Sequence, residues 1–416
     1  MDLKRICAGW LIDGTGGAIL RNGVMEITGE RILSVSRMDP GARNPGEVLD
    51  FSGCTLIPGL IDCHVHLCMS GTTDMTVREK QLTAGFDEAG LSIARHLDQG
   101  LDCGVVAVRD AGDRFGHTLR FKQEKFKNTL FPLRLTSAGK AWHASGRYGS
   151  LIGRPPEKGE SLAQAIERTS LGIDCVKIVN SGVNSMIRYG RQTLPQFNTE
   201  ELEKATQAAR ARGLPVMVHA NGVEPVLSAV SARVQSIEHG FFMGTENLKR
   251  MRDQGVTWVP TAFAMKALAD PAVCKIRILV KDGSKYLPHT PVEAHIQKVA
   301  EQTLAHQLDQ IREAKEIGVK IALGTDSGSI GVNHGVSMVQ ELSLLLESGL
   351  PIQEAIHCAT EVGAALLGLE GLGTLAPGKE ATFLVVKGAP NKLPESLRQI
   401  NAFYVKGKRI LPPLIY

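Results

Sequence analysis

No stretch of this 416-residue chain approaches the roughly 18 consecutive apolar residues that a membrane-spanning helix requires, so no membrane association is expected. The opening segment MDLKRICAGWLIDG has only a short apolar run, ended by Asp13-Gly14, and lacks the pattern of a cleaved leader. Eight cysteines are present, but none forms a C-x-x-C pair and no regular spacing suggests a disulfide framework. Reduced thiols and a cytoplasmic location are the expectation. Net charge is only +4, with a pI near 8.6, and the mild basic bias is spread along the chain, so no nucleic-acid partner is expected. The nearest approach to a basic run, KQEKFK at 122–127, is interrupted by Glu124 and reads as a solvated helix face. Internal repeats and low-complexity tracts are also lacking.

What is present is ordinary globular composition, 43% hydrophobic and 22% charged, which supports a large core. The length suits a TIM barrel with additions. The first 55 or so residues read as short strands broken by Gly, Asp and Asn, and the pattern returns in ATFLVVKG (381–388) and NAFYVKGKRILP (401–412). Two β-rich termini most simply make one small β-sandwich, with the barrel inserted between them. The expected division is therefore 1–57 and 369–416 for the sandwich and 58–368 for an α/β, (β/α)8 barrel. Helical periodicity is clearest at 296–317, where Ile296, Val299, Leu304, Leu308, Ile311 and Ile317 recur at spacings near three and four. A second helix is expected over 199–213, with Thr199 as N-cap and Gly213 closing it. Residues 266–295, with Pro271, Gly283, Pro288 and Pro291, read as a long loop.

Five distant strings share one design: PGLIDCHVHL (58–67), DCVKIV (174–179), PVMVHANG (215–222), SIEHG (236–240) and ALGTDSG (322–328). Each ends an apolar or β-branched run on a polar side chain, followed closely by Gly, Asn or Ser, as expected of a ligand at the C-terminal end of a barrel strand. The residues are His64 with His66, Lys177, His219, His239 and Asp326. Their separations are 113, 42, 20 and 87 residues. At about 20–40 residues per strand-helix unit, these gaps count as three, one, one and two units. The residues then fall on strands 1, 4, 5, 6 and 8, with GVVAVRDAGD (104–113), LRLTSAGKA (133–141) and GVTWVPTAF (255–263) as strands 2, 3 and 7. Alternation puts His64 and His66 on one face, where two imidazoles can grip one cation. Taken alone, His219 and His239 read as satisfied core histidines, Asp326 as a turn aspartate, and Lys177 as a barrel lysine paired with a carboxylate. Alternation also turns Glu238 outward, towards an outer-layer salt bridge.

The order His-x-His, Lys, His, His, Asp, together with IPGLIDCHVH, GTDSG and the late CATEVGAALLGLEGLGTLAPGKEATFLVV segment (358–386), resembles the amidohydrolase superfamily over nearly the whole chain. It is most similar to the imidazolonepropionase-like branch with a strand-4 lysine, which includes prolidase-like and arginine-carboxypeptidase-like enzymes. One departure is Ala381-Thr382, where the family usually has Ala-Asp. The resemblance implies two divalent metal ions, expected to be zinc, held by His64, His66, Lys177, His219, His239 and Asp326. It further implies a CO2-derived carbamate on Lys177 bridging the two ions, and Asp326 shuttling a proton as a metal-bridging hydroxide attacks an amide carbonyl. Self-association is common among such hydrolases, so a homo-oligomer is expected.

Substrate recognition is less legible. The strand-3 loop KAWHASGRYG (140–149) offers His143 as a donor to the carbonyl oxygen, Arg147 as a carboxylate anchor, and Tyr148. The strand-4 loop adds Arg188 and Tyr189, and GVNHG adds His334. The expected partner is a small molecule, with a dipeptide or N-acyl amino acid preferred. A lactam or cyclic imide is the alternative. A deaminase is a third reading, against which Lys177 counts. A retired, non-catalytic barrel is the remaining class, disfavoured because every ligand position is filled.

Overall fold

Strands from both ends of the chain meet in one seven-stranded sheet. The computed structural model describes residues 3–39, 47–125, 132–169, 172–270, 272–273 and 290–410. Within it, β1 (Leu3–Leu11), β2 (Leu20–Thr28), β3 (Arg31–Arg37) and β4 (Glu47–Pro58) come from the N-terminal part. Three more strands arrive after the helix Glu361–Leu366. They span Phe383–Lys387, Ile400–Val405 and Lys408–Ile410, and pair in sequence order on the far side of β4. A single mixed sheet stands where two facing sheets were expected. The reason is β4: it pairs parallel with β1 along one edge and antiparallel with Phe383–Lys387 along the other, so one strand joins both termini. The buried face carries Ile6, Met25, Ile27, Leu56, Phe383 and Tyr404, with the two rings stacked at 4.6 Å.

Only Gly59 separates β4 from the next strand, β5 (Leu60–Val65). A Cβ at Gly59 would lie 2.5 Å from the Val106 side chain, so this junction admits no larger residue without displacement. Beyond it the strands are short, mostly buried and parallel. They are β6 (Val105–Asp110), β7 (Arg134–Ser137), β8 (Ala141–Trp142), β9 (Gly153–Arg154), β10 (Val176–Val179), β11 (Val216–Ala220), β12 (Ser236–His239) and β13 (Thr257–Val259). Their order is β5-β6-β7 in one sheet and β13-β12-β11-β10-β8-β9 in another. Runs such as VKIV, VMVHA and TWV, buried throughout, are what a parallel sheet covered by helices demands. Amphipathic helices supply the cover, among them Phe86–Asp102, Thr199–Ala211 and Thr290–Ile317.

The segment 320–327 makes isolated bridges instead of a full strand, because the chain turns at Asp326, whose φ is +60°. It nevertheless lies between the two sheets. Trp258 N donates to Lys320 O at 2.8 Å, and Cys63 N donates to Leu323 O at 2.9 Å. On the other side, Asp174 N donates to Ser137 O at 3.0 Å, tying the approach to β10 to the end of β7.

Two local expectations change. Asn198, not Thr199, caps the helix Thr199–Ala211: its side chain accepts from Glu201 N, and Glu201 reaches back to Asn198 N at 2.8 Å, forming a capping box. The expected loop over 266–295 begins inside the helix Ala262–Leu268 and ends in the helix that starts at Thr290, while 271 and 274–289 lie outside the described residues. No helix among the described residues is long and apolar enough to cross a membrane.

Candidate metal centre

His64 is the penultimate residue of β5, and His66 follows the strand end. Both turn Nε2 towards one oxygen, Asp326 Oδ1, at 3.5 Å each. One donor atom from each of the three side chains falls within 4.8 Å of the others. Asp326 reaches this position from a left-handed backbone conformation, which aspartate tolerates better than most residues. Its backbone N donates to His64 O at 2.8 Å, and Ser329 Oγ donates to Oδ2 at 2.8 Å, leaving Oδ1 to face the histidines. One residue earlier, Thr325 is clamped by buried Asp62, whose oxygens accept from Thr325 N at 3.0 Å and from Thr325 Oγ1 at 2.6 Å.

The far nitrogens of the histidines are engaged. His66 Nδ1 lies 2.9 Å from Gly112 O, and His64 Nδ1 lies 2.6 Å from Glu238 Oε2. A carbonyl and a carboxylate accept, so each ring carries its proton on Nδ1 and presents the Nε2 lone pair to the centre. Glu238 also accepts from Arg109 Nη2 at 2.9 Å and Ser236 Oγ at 2.5 Å. This corrects the expected outward position of Glu238. The chain leaves the strand at His239, where φ is +68°, so the two-residue alternation does not carry across the pair. Glu238 and His239 both lie in the interior.

Lys177, on β10, is 1% exposed, and its Nζ has no hydrogen-bond partner. Burial pulls its pKa down to about 8, against the attraction of Glu238 and Asp326. The carboxylate-bonded lysine that the residues alone suggest is thus not what the structure contains. His219 and His239 complete the cluster, with ring centroids 4.6 Å apart and His239 5.0 Å from His64. His219 Nε2 is 3.1 Å from Gly182 O, and His239 Nδ1 is 2.7 Å from Thr261 Oγ1. Burial holds these rings neutral: His219 falls to about 3, and His64 and His239 fall well below the ordinary imidazole range. Neutral imidazole is the form that binds metal.

The donor set fits a divalent cation of the zinc type. His64 Nε2 and Lys177 Nζ are both buried without a hydrogen bond among the described residues, an arrangement that is costly unless something binds there. Imidazole nitrogen together with carboxylate oxygen is chemistry that zinc and its neighbours accept.

Above the cluster opens a cavity of about 280 Å³. Of the substrate contacts expected from sequence, Tyr148 lines it, and its ring lies 5.5 Å from that of His219. The others do not. His143 is buried, its Nδ1 2.9 Å from Ala144 O, and Gly149 lies directly against its ring. Arg147 is exposed and donates to Leu194 O at 2.9 Å. Arg188 is exposed, and Tyr189 packs on Phe242 at 5.4 Å. His334 is buried away from the cavity, held by Met69 O at 2.9 Å and stacked on His96 at 4.2 Å. The wall also includes Arg78, Asn184 and Asn221; the asparagines of NSGVNS (180–185) read equally as turn formers or as ligands from sequence, while nothing there singled out Arg78. Arg78 belongs to the helix Met75–Thr83, where no residue is buried and the polar composition resembles any solvated helix. Its one signal was position: it follows β5 on the face where the strands end.

A model of the Amidohydrolase family matches residues 55–410. The chain belongs to the amidohydrolase family. Among solved structures it is similar to an Xaa-Pro dipeptidase with methionine bound in its active site, at 26% identity and a TM-score of 0.80, covering 98% of this chain and 99% of that one. The ochratoxinase of Aspergillus niger is 25% identical over 92% of this chain and 81% of that protein. The imidazolonepropionase of Porphyromonas gingivalis (strain ATCC BAA-308 / W83) is 24% identical over 90% and 84% respectively. These similarities imply an α/β fold of the TIM-barrel class, and they support a hydrolase that acts on carbon–nitrogen bonds of small molecules. The amidohydrolase family typically uses divalent metals, and the cluster of His64, His66 and Asp326 has the ligands for one.

Proposed function

We propose that this amidohydrolase is a zinc-dependent enzyme that cleaves the amide C–N bond of a dipeptide or N-acyl amino acid. The observation that carries the reading is the pair of buried, unpartnered nitrogens, His64 Nε2 and Lys177 Nζ, beside His66 and Asp326 at the base of the cavity. Similarity to a dipeptidase supports the choice of substrate class. In this reading β5, β6, β7, β10, β11, β12, β13 and residues 320–327 are the eight staves of a (β/α)8 barrel spanning 58–368. Residues 1–57 and 369–416 form the accessory domain.

His64, His66 and Asp326 would hold one ion, and His219 and His239 a second. Lys177 would serve both after its neutral amine adds to CO2 and loses a proton, giving a carbamate whose single negative charge is shared by two oxygens. Bound divalent ions lower the pKa of water and polarise a carbonyl. Around that chemistry the chain's own groups act on protons and position. Asp326 accepts the proton released as water attacks the amide carbon and returns it to the leaving nitrogen. Ser329 and the His64 carbonyl hold Asp326 in register for both transfers. Tyr148 covers the cluster from the cavity side. The carbonyl-donor role expected of His143 is not assigned, because the cavity wall does not include it.

The second reading, hydrolysis of a lactam or cyclic imide, draws on similarity to an imidazolonepropionase and on the compactness of the cavity. A panel of dipeptides, N-acyl amino acids, lactams and cyclic imides, offered to zinc-loaded protein, separates the two. Release of free amino acid from the linear compounds is expected. Turnover confined to the cyclic compounds would favour the second reading, and no turnover of either set would reject both.

A further inference from the structure

The cavity wall carries two basic side chains among the described residues, Lys177 at the metal end, whose ammonium burial disfavours, and Arg78. Arg78 is held by a single nitrogen. Its Nη1 donates to Ser70 O, and also to Gly328 O at 3.1 Å, so carbonyls of two different loops fix the guanidinium. Its Nε and Nη2 have no hydrogen bond to the protein among the described residues, and no acidic side chain is paired with it. The field of Asp326 favours its charge, and although burial pulls the pKa down to about 10, the group stays cationic at neutral pH. The other carboxylate on the wall, Asp113, is occupied by backbone donors: Phe115 N and His117 N on one oxygen and Thr118 N on the other. What remains is a guanidinium on the cavity wall, fixed through Nη1, whose Nε and Nη2 are not engaged by the described residues. That pair of donors matches a carboxylate bidentately.

We infer that Arg78 is the specificity-determining anchor for the substrate's free carboxylate. The inference rests on the amide-hydrolase reading above and narrows it: the substrate carries an α-carboxylate beside the scissile amide, and the carbonyl is thereby directed towards His64, His66 and Asp326. Leu82, Met265, Leu268 and Ile330 supply an apolar wall for the side chain of such a substrate. Arg147 and Arg188, exposed and off the wall, take no part.

The test uses metal-loaded wild type, R78M and R78K, with N-acetyl-L-methionine and N-acetyl-L-methionine amide as probes. Binding is followed by calorimetry and hydrolysis by release of methionine or its amide. A charge-assisted bidentate contact predicts that wild type binds the acid about 10- to 100-fold more tightly than the amide. R78M should abolish that preference, and R78K, which keeps the charge but loses the fork, should retain part of it. An acid preference that persists in R78M, or none in wild type, would overturn the assignment. The two readings fail separately. Arg78-dependent binding without hydrolysis keeps the anchor and sinks the hydrolase; hydrolysis with no Arg78 dependence does the reverse.

Discussion

Glu238 Oε2 lies 2.6 Å from His64 Nδ1, and its other oxygen accepts from Arg109 at 2.9 Å, so one buried carboxylate joins a cationic side chain to a candidate ligand. The contact fixes both the tautomer and the plane of His64. Carboxylate partners of this kind raise the basicity of a ligating imidazole, and their loss weakens metal binding by about 10- to 100-fold. E238Q, which keeps the shape and removes the charge, is therefore expected to weaken zinc affinity by that factor in a chelator-buffered titration. E238A should also destabilise the fold by about 3–5 kcal/mol, because Arg109 is left buried and unpaired. Unchanged zinc affinity in E238Q would show that the contact is only structural.

Asp326 is expected to be indispensable for turnover and dispensable for folding. D326N preserves volume and the Ser329 contact but cannot exchange a proton. A loss of about 10²- to 10⁴-fold in kcat is expected, with a melting profile close to wild type. Normal turnover would remove Asp326 from the proton path.

Lys177 is expected to take up CO2. With its pKa near 8, the neutral amine becomes abundant between pH 7 and 9, so labelling of metal-free protein by 13C-bicarbonate should rise across that range. The carbon NMR signal should be absent in K177A, and that variant should hold half the wild-type metal or less. Full metal content with full activity in K177A would contradict the carbamate.

His219 makes a pH-dependent contribution whose sign is fixed by burial. Its pKa falls to about 3 in the folded chain, from an ordinary 6.5. The unfolded chain therefore takes the proton first as the solution is acidified. Above pH 6.5 the group costs nothing, and from there down to about 3 it withdraws about 1.4 kcal/mol per pH unit. Metal-free wild type should lose stability relative to H219Q as the pH is lowered from 7 to 5, measured by denaturant unfolding. A constant difference would mean that His219 titrates normally.

The candidate ligands were legible because each lies in or just after a buried, apolar or β-branched run, a pattern that survives in a single sequence. Glu238 was misplaced because strand alternation was carried one residue too far, past the point where His239 adopts a positive φ. Arg78 was invisible for a different reason: no residue of its helix is fully buried, and only the folded loops show that it lies on the cavity wall. Arg147, Arg188 and His334 were nominated from their place in loops, but a loop's position does not say which way its side chains point. The joining of both termini through β4 was half visible. The strands could be read from the sequence, but their pairing across more than 300 residues could not.

The most direct measurement is the metal content of the purified chain by elemental analysis. About two zinc-like ions per chain are expected, removed by a strong chelator together with all amide hydrolysis and restored with it on adding zinc back. A chain that binds no divalent metal, or one whose hydrolysis survives complete metal removal, would contradict that expectation.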